Sequence, residues 1–403
     1  MKRIAYMIPE YPSQTHTFFY REMRVLRKNN LQINVISTIQ PGVNKASKSH
    51  HDWTEGAVSE TYYLHPPVIA DLKIITYMIL NIVKVIKCLI LIISSKDSSI
   101  NEKLKLFLTL PYAVKFAKYV KQKKLEHIHS HFCYRASDIA FFASILASVT
   151  YSISKHGPNY EYGNQINKWS HASFCTVITK IMLSELDKSP LEEFKSKIKV
   201  ISMGVETERF FRKTNYILPH IGNIVKIFCC GRINPSKGQK DLILLAEELK
   251  NIGINVDIRI AGGVSGNQRY FKELQNLVKE STSNIQLLGS LSESEIISEL
   301  EKCHLFVLPS RSEPLGVAYM EAMSMELPVI AYNSGGVKEL IQDKKNGFLC
   351  SDSSINCLVN TVKWIIENPA ETERIRKQAR SSIIKSYDSS VGALSMLKAF
   401  QEL

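Results

Sequence analysis

Two glutamates, Glu313 and Glu321, frame the part of this 403-residue chain whose residue types best suit chemistry. Glu313 follows an apolar, strand-like run that ends at Pro309-Ser310, and Glu321 lies in a helix-compatible run that begins near Gly316. We therefore expect one carboxylate on a strand-to-helix loop and the other in the helix that follows. Carboxylates accept hydrogen bonds from sugar hydroxyls, and free helix N–H groups hold phosphate. A surface loop followed by an exposed helical glutamate explains the spacing equally well.

A second loop, Gly231–Gly238, follows another apolar run and contains two cations. Gly231 is expected to allow a tight exit from the strand. Arg232 and Lys237 would then lie beside a helix N-terminus, which is a way to hold a diphosphate without a metal. By itself, a basic loop of this kind is common.

Two series of short apolar runs alternate with helical patterns, which predicts an α/β fold with two parallel sheets, each covered by helices on both faces. The first series comprises Ile4–Ile8, Leu31–Ser37, Glu126–Phe132, Tyr151–Ser154, Phe174–Ile178 and Lys199–Ser202. The second comprises Val225–Cys230, Asp257–Ala261, Ile285–Leu288, His304–Leu308 and Val329–Tyr332. Helix starts are predicted at the capping box Ser292-x-x-Glu295 and at Asn368-Pro369.

The composition is that of a globular protein, with 45% apolar and 22% charged residues. Residues 1–130 hold 19 Lys and Arg against 9 Asp and Glu, so they carry +10 of the net charge of +13. No nucleic-acid-binding motif is visible, which leaves anionic lipid or a phosphorylated substrate as the expected partner of the basic part. The eight cysteines form no CxxC pair and no cleavable signal is visible, which predicts a cytoplasmic protein with free thiols.

The segment Ile74–Ile93 is strongly apolar, but Asn81, Lys84 and Lys87 interrupt it. The pattern predicts an amphipathic helix rather than a membrane span. A second basic helix is expected around residues 115–121. Two alternatives remain open: both helices pack on the first sheet with solvated lysines, or they form a surface that docks on anionic lipid.

Taken together, these motifs resemble those of the retaining glycosyltransferases of family four. The resemblance covers nearly all of residues 225–350. Its segments are G-R-x-x-x-x-K-G at Gly231–Gly238, L-L-G-S-L-S at Leu287–Ser292, P-S-R-S-E-P-L-G-V-A-Y-M-E-A-M at Pro309–Met323, L-P-V-I-A at Leu327–Ala331, S-G-G at Ser334–Gly336 and N-G-F-L at Asn346–Leu349. It implies the GT-B fold, in which two Rossmann-like, doubly wound domains face a central cleft. The expected domains are 1–208 and 223–387, with a linker at 209–222 and a C-terminal segment, 388–403, that packs back on the first domain.

The resemblance also implies roles on the donor side. The implied donor-binding residues are Gly231, Arg232, Lys237, Leu315, Gly316, Val317 and Glu321. Arg232 and Lys237 would neutralise the diphosphate of a nucleotide-sugar, and the backbone amides of residues 315–317 would hold the distal phosphate. Glu313 would contact the donor sugar near its reacting carbon, and Glu321 would bind the ribose hydroxyls.

In the first domain, the stretch Tyr11–Phe18 resembles the F-P-x-x-S-E-T-F opening of a branch that builds exopolysaccharide and lipopolysaccharide. His16 stands where that branch has Glu, which puts the role of that position in doubt. The acceptor-side candidates are Ser13, Gln14, Thr15 and His16. As an alternative, Thr15 and Thr17 cap a helix that begins near Phe18.

Histidines in the first domain are further candidates. Ser154-Lys155-His156-Gly157 lies where the family often has T-x-H-G, so the resemblance implies that His156 donates a hydrogen bond to the donor sugar; its ordinary pKa range would also suit proton handling. A purely structural histidine is the alternative. His127, His129 and His131 alternate along one strand face, which also suits zinc, but the family has a similar strand without a metal.

The resemblance predicts a retaining, metal-independent transferase, expected to be a hexosyltransferase, with no cofactor. It would move a sugar from a UDP- or GDP-linked donor to a glycan or lipid-linked acceptor in cell-surface polysaccharide biosynthesis. Such an enzyme would be cytoplasmic. Whether it also contacts the inner face of the cytoplasmic membrane is left open. Two alternatives are a catalytically silent scaffold that binds nucleotide-sugar, and an epimerase or phosphorylase of the same fold. The base, the sugar and the acceptor are left open.

Overall fold

Two compact units make up the computed structural model, which describes residues 2–40, 51–65, 72–157, 163–187, 189–220, 222–264, 266–351 and 354–403. The first unit contains the described residues of Met1–Val43, Trp53–Ser202 and Ala393–Leu403. The second contains those of Asn44–Asp52 and Met203–Gly392. The described residues of the predicted linker, 209–220 and 222, fall in the second unit.

The sheet of the first unit is parallel throughout and has the order β3-β2-β1-β4-β5-β6-β7. Its strands are β1 (Arg3–Glu10), β2 (Gln32–Ile39), β3 (Thr61–Tyr63), β4 (His127–His131), β5 (Thr150–Lys155), β6 (Cys175–Val177) and β7 (Ile198–Val200). The helices are α1 (Thr17–Lys28), α2 (Thr54–Glu60), α3 (Leu72–Leu80), α4 (Ile82–Ser94), α5 (Ile100–Phe107), α6 (Leu110–Gln122), α7 (Arg135–Ala147), α8 (Gln165–His171) and α9 (Lys180–Ser184).

The sheet of the second unit is also parallel, in the order β10-β9-β8-β11-β12-β13. Its strands are β8 (Val225–Cys230), β9 (Val256–Ala261), β10 (Asn284–Gly289), β11 (Leu305–Leu308), β12 (Val329–Tyr332) and β13 (Phe348–Cys350). The helices are α10 (Gln239–Asn251), α11 (Gln268–Glu280), α12 (Glu293–Lys302), α13 (Val317–Ser324), α14 (Val337–Leu340), α15 (Ile355–Glu367) and α16 (Pro369–Ser386). The last helix, α17 (Ser389–Gln401), begins in the second unit and ends in the first. The predicted α/β class with two doubly wound parallel sheets is confirmed.

The core of the first unit is built around β1, where every side chain from Ile4 to Ile8 is fully buried. A strand covered by helices on both faces must be apolar on both, which explains the uninterrupted apolar run in the sequence. The end of α17 belongs to the same core: Met396 and Phe400 are at most 2% exposed and pack with Phe19.

One predicted helix is divided in the structure. The segment expected to form a single helix over Ile74–Ile93 forms α3 and α4, which are bent by 88°. The break falls at Asn81, whose side-chain amide donates to the carbonyl oxygen of Tyr77 (3.0 Å) beside its own N–H (3.1 Å). Asparagine side chains compete in this way with the hydrogen bonds of a continuing helix. In the described part of the chain no single helix is long and apolar enough to cross a membrane, and the bent pair α3–α4 meets that length and composition only when counted together.

Candidate active site

The two loops predicted to bind the donor leave the second sheet side by side. They follow β8 and β11, which are neighbouring parallel strands paired at Phe306 and Phe228. From β8 the sheet continues through β9 and β10 on one side, and from β11 through β12 and β13 on the other, so the order of strand addition reverses between β8 and β11. In open α/β sheets, ligands bind at the carboxyl ends of the strands at such a point.

Backbone contacts hold the two loops together. The N–H of Arg311 and the hydroxyl of Ser310 both donate to the carbonyl oxygen of Ser236, at 2.7 and 3.2 Å. Gly238 has a φ of 68°, and a Cβ at this position would collide with the carbonyl oxygen of Pro309. Glycine is therefore required where the first loop touches the second.

A third loop, after β12, fixes the backbone of Glu313. The N–H of Gly336 donates to the carbonyl oxygen of Glu313 (2.9 Å), and a Cβ at Gly335, where φ is 50°, would collide with the same oxygen. The position of the first predicted glutamate is thus set by the ends of three adjacent strands.

The side chains of Lys237 and Glu313 form an ion pair between the first two loops. Their side chains are 15% and 9% exposed, so the pair is largely withdrawn from solvent. A charge-assisted hydrogen bond in such surroundings is stronger than one at the surface. The structure therefore brings the residue predicted to bind the diphosphate, Lys237, into direct contact with the residue predicted to bind the sugar, Glu313.

Helix α13 begins beside this pair with unused N–H groups. Its hydrogen bonds start with the N–H of Tyr319, which donates to the carbonyl oxygen of Gly316 (3.1 Å). Among the described residues, the amides of Leu315, Gly316 and Val317 have no acceptor. Gly316 has a φ of 99°, and a Cβ there would collide with the ring of Tyr319. These amides and the positive end of the helix dipole can together bind an anion.

Glu321 lies in the second turn of α13 and is 7% exposed. Burial raises the pKa of the Cys230 thiol, and the charge of Glu321 raises it further, which places this carboxylate near the end of β8. Arg232, in the loop after β8, is exposed, and its guanidinium has no partner among the described residues.

The expectation for Gly231 needs correction. A Cβ at Gly231 would make only an ordinary contact with Leu308, at 3.5 Å. The steric requirement lies instead at Gly262, which has a φ of 157° and whose Cβ would collide with the carbonyl oxygen of Gly231. The exit from β8 is tight because the loop after β9, at Gly262, approaches the backbone of Gly231 closely.

The histidine candidates of the first unit also lie where a sheet changes direction, here between β1 and β4. A ring nitrogen of His156 is 2.9 Å from one of His131. Burial lowers the pKa of His156 to about 3, with a further contribution from the charge of His16. A pKa this low leaves His156 neutral near pH 7 and does not favour the proton handling predicted for that range. A neutral imidazole can still donate or accept a hydrogen bond.

His16 lies close to His156, since the rings of Phe19 and Phe132 contact both histidines at centroid distances of 5.1–5.7 Å. The ring N–H at Nδ1 of His16 donates to the carbonyl oxygen of Glu10 (2.8 Å). Helix α1 begins at Thr17 with His16 as its N-cap and no side-chain cap. The alternative in which threonines cap this helix is therefore wrong.

The other acceptor-side candidates differ in exposure. Ser13 is 4% exposed and its carbonyl oxygen accepts from the N–H of His16 (3.0 Å), whereas Gln14 is half-buried and Thr15 is exposed. The turn before α1 thus presents Gln14 and Thr15, and not Ser13, to solvent.

The three histidines of β4 that invited a zinc interpretation have other partners. Ring nitrogens of His127 lie 2.7 Å from the hydroxyl of Thr150 and 2.6 Å from that of Ser152. His129 likewise contacts the hydroxyls of Ser152 (2.7 Å) and Ser154 (2.9 Å). The described residues contain no group of three or more His, Cys, Asp or Glu that could hold a metal.

Comparison with protein families matches residues 218–382 to the model described as Glycosyl transferases group 1. The match covers less than half of the chain and lies wholly in its second unit. An uncharacterized glycosyltransferase of Methanocaldococcus jannaschii is 28% identical over 267 residues, covering 64% of this chain and 69% of that protein. A protein of Corynebacterium glutamicum named as a GDP-mannose-dependent monoacylated alpha-(1-6)-phosphatidylinositol monomannoside mannosyltransferase is 25% identical over 251 residues, covering 57% and 64%.

Solved structures with the same fold span the whole chain. Anabaena HepE in complex with UDP and glucose has a TM-score of 0.74 at 16% identity, with 100% of both chains covered. A glycosyltransferase of Rickettsia africae has a TM-score of 0.72 at 16% identity, covering 100% of this chain and 98% of that one. At these identities the likeness concerns the fold, and it confirms the expected GT-B architecture.

In the second unit, three residues missed by the sequence interpretation brace the loop that carries Glu313. Asp241 accepts hydrogen bonds from the guanidinium of Arg311 (2.7 Å) and from the hydroxyl of Tyr332 (2.8 Å). The guanidinium of Arg311 also lies 5.6 Å from the centre of the Tyr332 ring. The S-R-S sequence directly before Glu313 was the available signal, since it places another cation in the same loop.

Proposed function

We propose that this chain is a retaining, metal-independent glycosyltransferase that moves a sugar from a nucleotide-diphosphate-sugar to a glycan or lipid-linked acceptor in cell-surface polysaccharide biosynthesis. The observation that carries the proposal is the pairing of Lys237 with Glu313 beside the unused amides at the start of α13. A cation, a carboxylate and an anion-binding helix end at one sheet edge suit a phosphorylated, polyhydroxylated ligand.

Each residue then has a defined task. Lys237 and the exposed Arg232 neutralise the diphosphate and stabilise the leaving nucleotide, and the amides of residues 315–317 hold the distal phosphate. Glu313 contacts the donor sugar, and Glu321 accepts hydrogen bonds from the ribose hydroxyls. The acceptor oxygen attacks the anomeric carbon on the face from which the phosphate leaves. The carbon–phosphate oxygen bond breaks as the new glycosidic bond forms, and the departing phosphate takes the acceptor's proton.

The first unit supplies the acceptor side of the proposal. The turn at Ser13, Gln14, Thr15 and His16 contacts the acceptor through the side chains that it presents to solvent, Gln14 and Thr15. His156 acts as a neutral hydrogen-bonding partner of a bound sugar. The excess of basic residues in positions 1–130 favours a phosphorylated or lipid-linked acceptor. Peripheral contact with the cytoplasmic face of an anionic membrane follows from such an acceptor.

The proposal is tested by thermal shift against a panel of UDP- and GDP-sugars, because a ligand that binds the folded state raises its apparent stability. We expect one donor to raise Tm in both the native chain and Glu313→Ala, and only the native chain to hydrolyse or transfer its sugar. Failure of every donor to raise Tm would overturn the donor assignment. A native chain that binds a donor but never turns it over would instead be the silent scaffold.

A further inference from the structure

Exposed apolar side chains are concentrated in one short stretch of the first unit. Of the 23 large hydrophobic residues that are exposed in the described part of the chain, 12 lie between positions 72 and 108. Monomeric soluble proteins rarely leave so many aliphatic side chains together in water, and such patches mark interaction sites. We call these twelve the α3–α5 apolar surface: Leu72, Ile75, Ile79, Leu80, Ile82, Val83, Ile86, Ile90, Ile93, Ile100, Leu104 and Leu108.

Helices α3 and α4 are attached to the rest of the first unit by the faces opposite this surface. In α4 the buried positions are Val85, Cys88 and Ile92, all at most 5% exposed. The hydroxyl of Tyr77 and the ammonium of Lys84 both donate to the carbonyl oxygen of Leu146 at the end of α7, at 3.1 and 3.2 Å. The apolar surface is therefore the outward face of anchored helices, where a soluble protein would carry polar residues.

Helix α5 extends the same surface. Its exposed apolar residues Ile100, Leu104 and Leu108 follow one another at four-residue spacing, which puts them on one helix face. The ammonium of Lys103 donates to the carbonyl oxygen of Ile93 (2.7 Å), which holds α5 beside the end of α4.

Lysines outnumber acids in the stretch that carries this surface. Residues 72–108 include six lysines and two acids, Asp97 and Glu102. Asp97 accepts from the backbone N–H groups of Gln165 (2.5 Å) and Ile166 (3.1 Å), and Glu102 from that of Ser99 (2.6 Å), so both carboxylates are engaged within the unit. The hydrogen bonds from Ser99 also lower the pKa of Glu102. Apolar side chains bordered by lysines fit a bilayer that carries negative headgroups.

A cavity of about 410 Å³ lies on the flank of α4, next to this surface. Its lining includes Lys84, Lys87, His171 and Ser173. Lys87 is exposed, lines the cavity and lies on the same helix as five residues of the α3–α5 apolar surface. Its ammonium group thus offers an anionic headgroup a positive charge beside that surface.

We infer that the α3–α5 apolar surface docks on an anionic lipid bilayer, with the helices lying in the interface and Lys87 contacting headgroup phosphate. The inference rests on the proposed function in one respect: it assigns a defined surface to the peripheral membrane contact in that proposal. The bend of 88° between α3 and α4 and their attachment to α7 suit helices that lie along a membrane rather than cross it.

The test is vesicle flotation of the full chain with phosphatidylcholine alone and with increasing phosphatidylglycerol. We expect binding to rise with the anionic fraction and to weaken with salt, because the charged contribution is screened. Val83→Asp, at a position 77% exposed, should reduce binding at least tenfold without lowering Tm. Lys87→Gln should reduce it roughly fivefold, the equivalent of about 1 kcal/mol for one charge near an anionic surface.

The matched control is Leu244→Asp, at an exposed position of α10 in the second unit (52%), which should bind vesicles like the native chain. Equal binding to neutral and anionic vesicles, or undiminished binding of Val83→Asp, would overturn the inference. A third result would also overturn it: the native chain does not bind vesicles, light scattering shows that it is a dimer, and Val83→Asp is a monomer. The surface would then bind a second copy of the chain instead of a membrane. UDP-sugar thermal shifts of the same variants separate failure of this inference from failure of the donor assignment.

Discussion

Lys237 and Glu313 depend on each other. Both side chains are largely withdrawn from solvent, and each is the other's counter-ion. Removing one partner of such a pair leaves a charge with reduced hydration and no compensation, which costs more than the pair itself contributes. A substitution at either position therefore acts on both, and single variants must be compared with the double variant.

Replacing Lys237 by Ala should weaken UDP binding by about 1.5–3 kcal/mol, the scale of a hydrogen bond to a charged group. Isothermal titration measures the loss. Lys240→Ala is the matched control, because that lysine, in the first turn of α10, pairs with the half-exposed Glu273. Unchanged UDP affinity in Lys237→Ala would reject the diphosphate assignment, and equal losses in both variants would point to a general charge effect.

Buried histidines make the stability of the chain depend on pH. Burial lowers the pKa of both His127 and His156 from 6.5 to about 3. Between these values the unfolded chain binds protons that the folded chain does not, so their stabilisation is present above pH 6.5 and is lost as pH falls toward 3. Glu22 acts in the opposite sense, since burial raises its pKa from 4.5 to about 7. The two histidines together outweigh this single carboxyl between pH 7 and pH 5.

We therefore expect the urea midpoint of unfolding to fall between pH 7 and pH 5. His127→Gln keeps polar groups beside Thr150 and Ser152 but cannot titrate, so it should flatten this dependence whatever it does to stability at pH 7. A slope identical to that of the native chain would contradict the assignment to the buried histidines.

At the scale of elements, the site forms where the loops after three neighbouring strands meet, and glycines allow their backbones to approach closely. The loops after β8, β11 and β12 meet at Gly238, Gly335 and the backbone of Glu313. These approaches leave no room for a side chain at Gly238 or Gly335.

Gly238→Ala should lower both stability and UDP affinity, since it adds a collision with Pro309 to the cost of a left-handed backbone. The matched control is Gly253→Ala, where φ is also positive (82°) but no atom lies within 4 Å of the added Cβ. The control should lose about 1–2 kcal/mol of unfolding free energy and keep UDP affinity. Equal effects of both substitutions would show that the contact between the loops has no role.

The strands and the donor loops could be predicted because each has a local signal. Buried strands such as β11 and β12 are continuous apolar runs. Strands β3 and β13, with three residues each, were not among the predicted runs. The helical period continues across Asn81, so the break between α3 and α4 was hidden. The contact of Lys237 with Glu313, and the brace formed by Asp241, depend on which strands are neighbours, and sequence spacing does not contain that information.

At the scale of the whole molecule, the first unit is assembled from both ends of the sequence. Residues Ala393–Leu403 belong to it, and the ring of Phe400 contacts those of Tyr6, His129 and Phe174 at centroid distances of 5.2–6.4 Å. The second unit lies between these segments in the sequence. The stability of the first unit therefore depends on a helix that begins outside it.

Phe400→Ala should destabilise the first unit by about 3–5 kcal/mol, the usual cost of removing a buried phenylalanine. Chemical denaturation measures it, and Leu403→Ala, at a position 36% exposed, is the control that should change little. A small loss in Phe400→Ala would mean that the C-terminal helix contributes little to this core.

The contribution of α17 to the first core sets an order for folding during synthesis. The ribosome makes β1 through β7 early, yet the residues that complete their core emerge only after every strand of the second sheet has been made. The second unit can close on itself first, while the first must wait with part of its apolar surface uncovered.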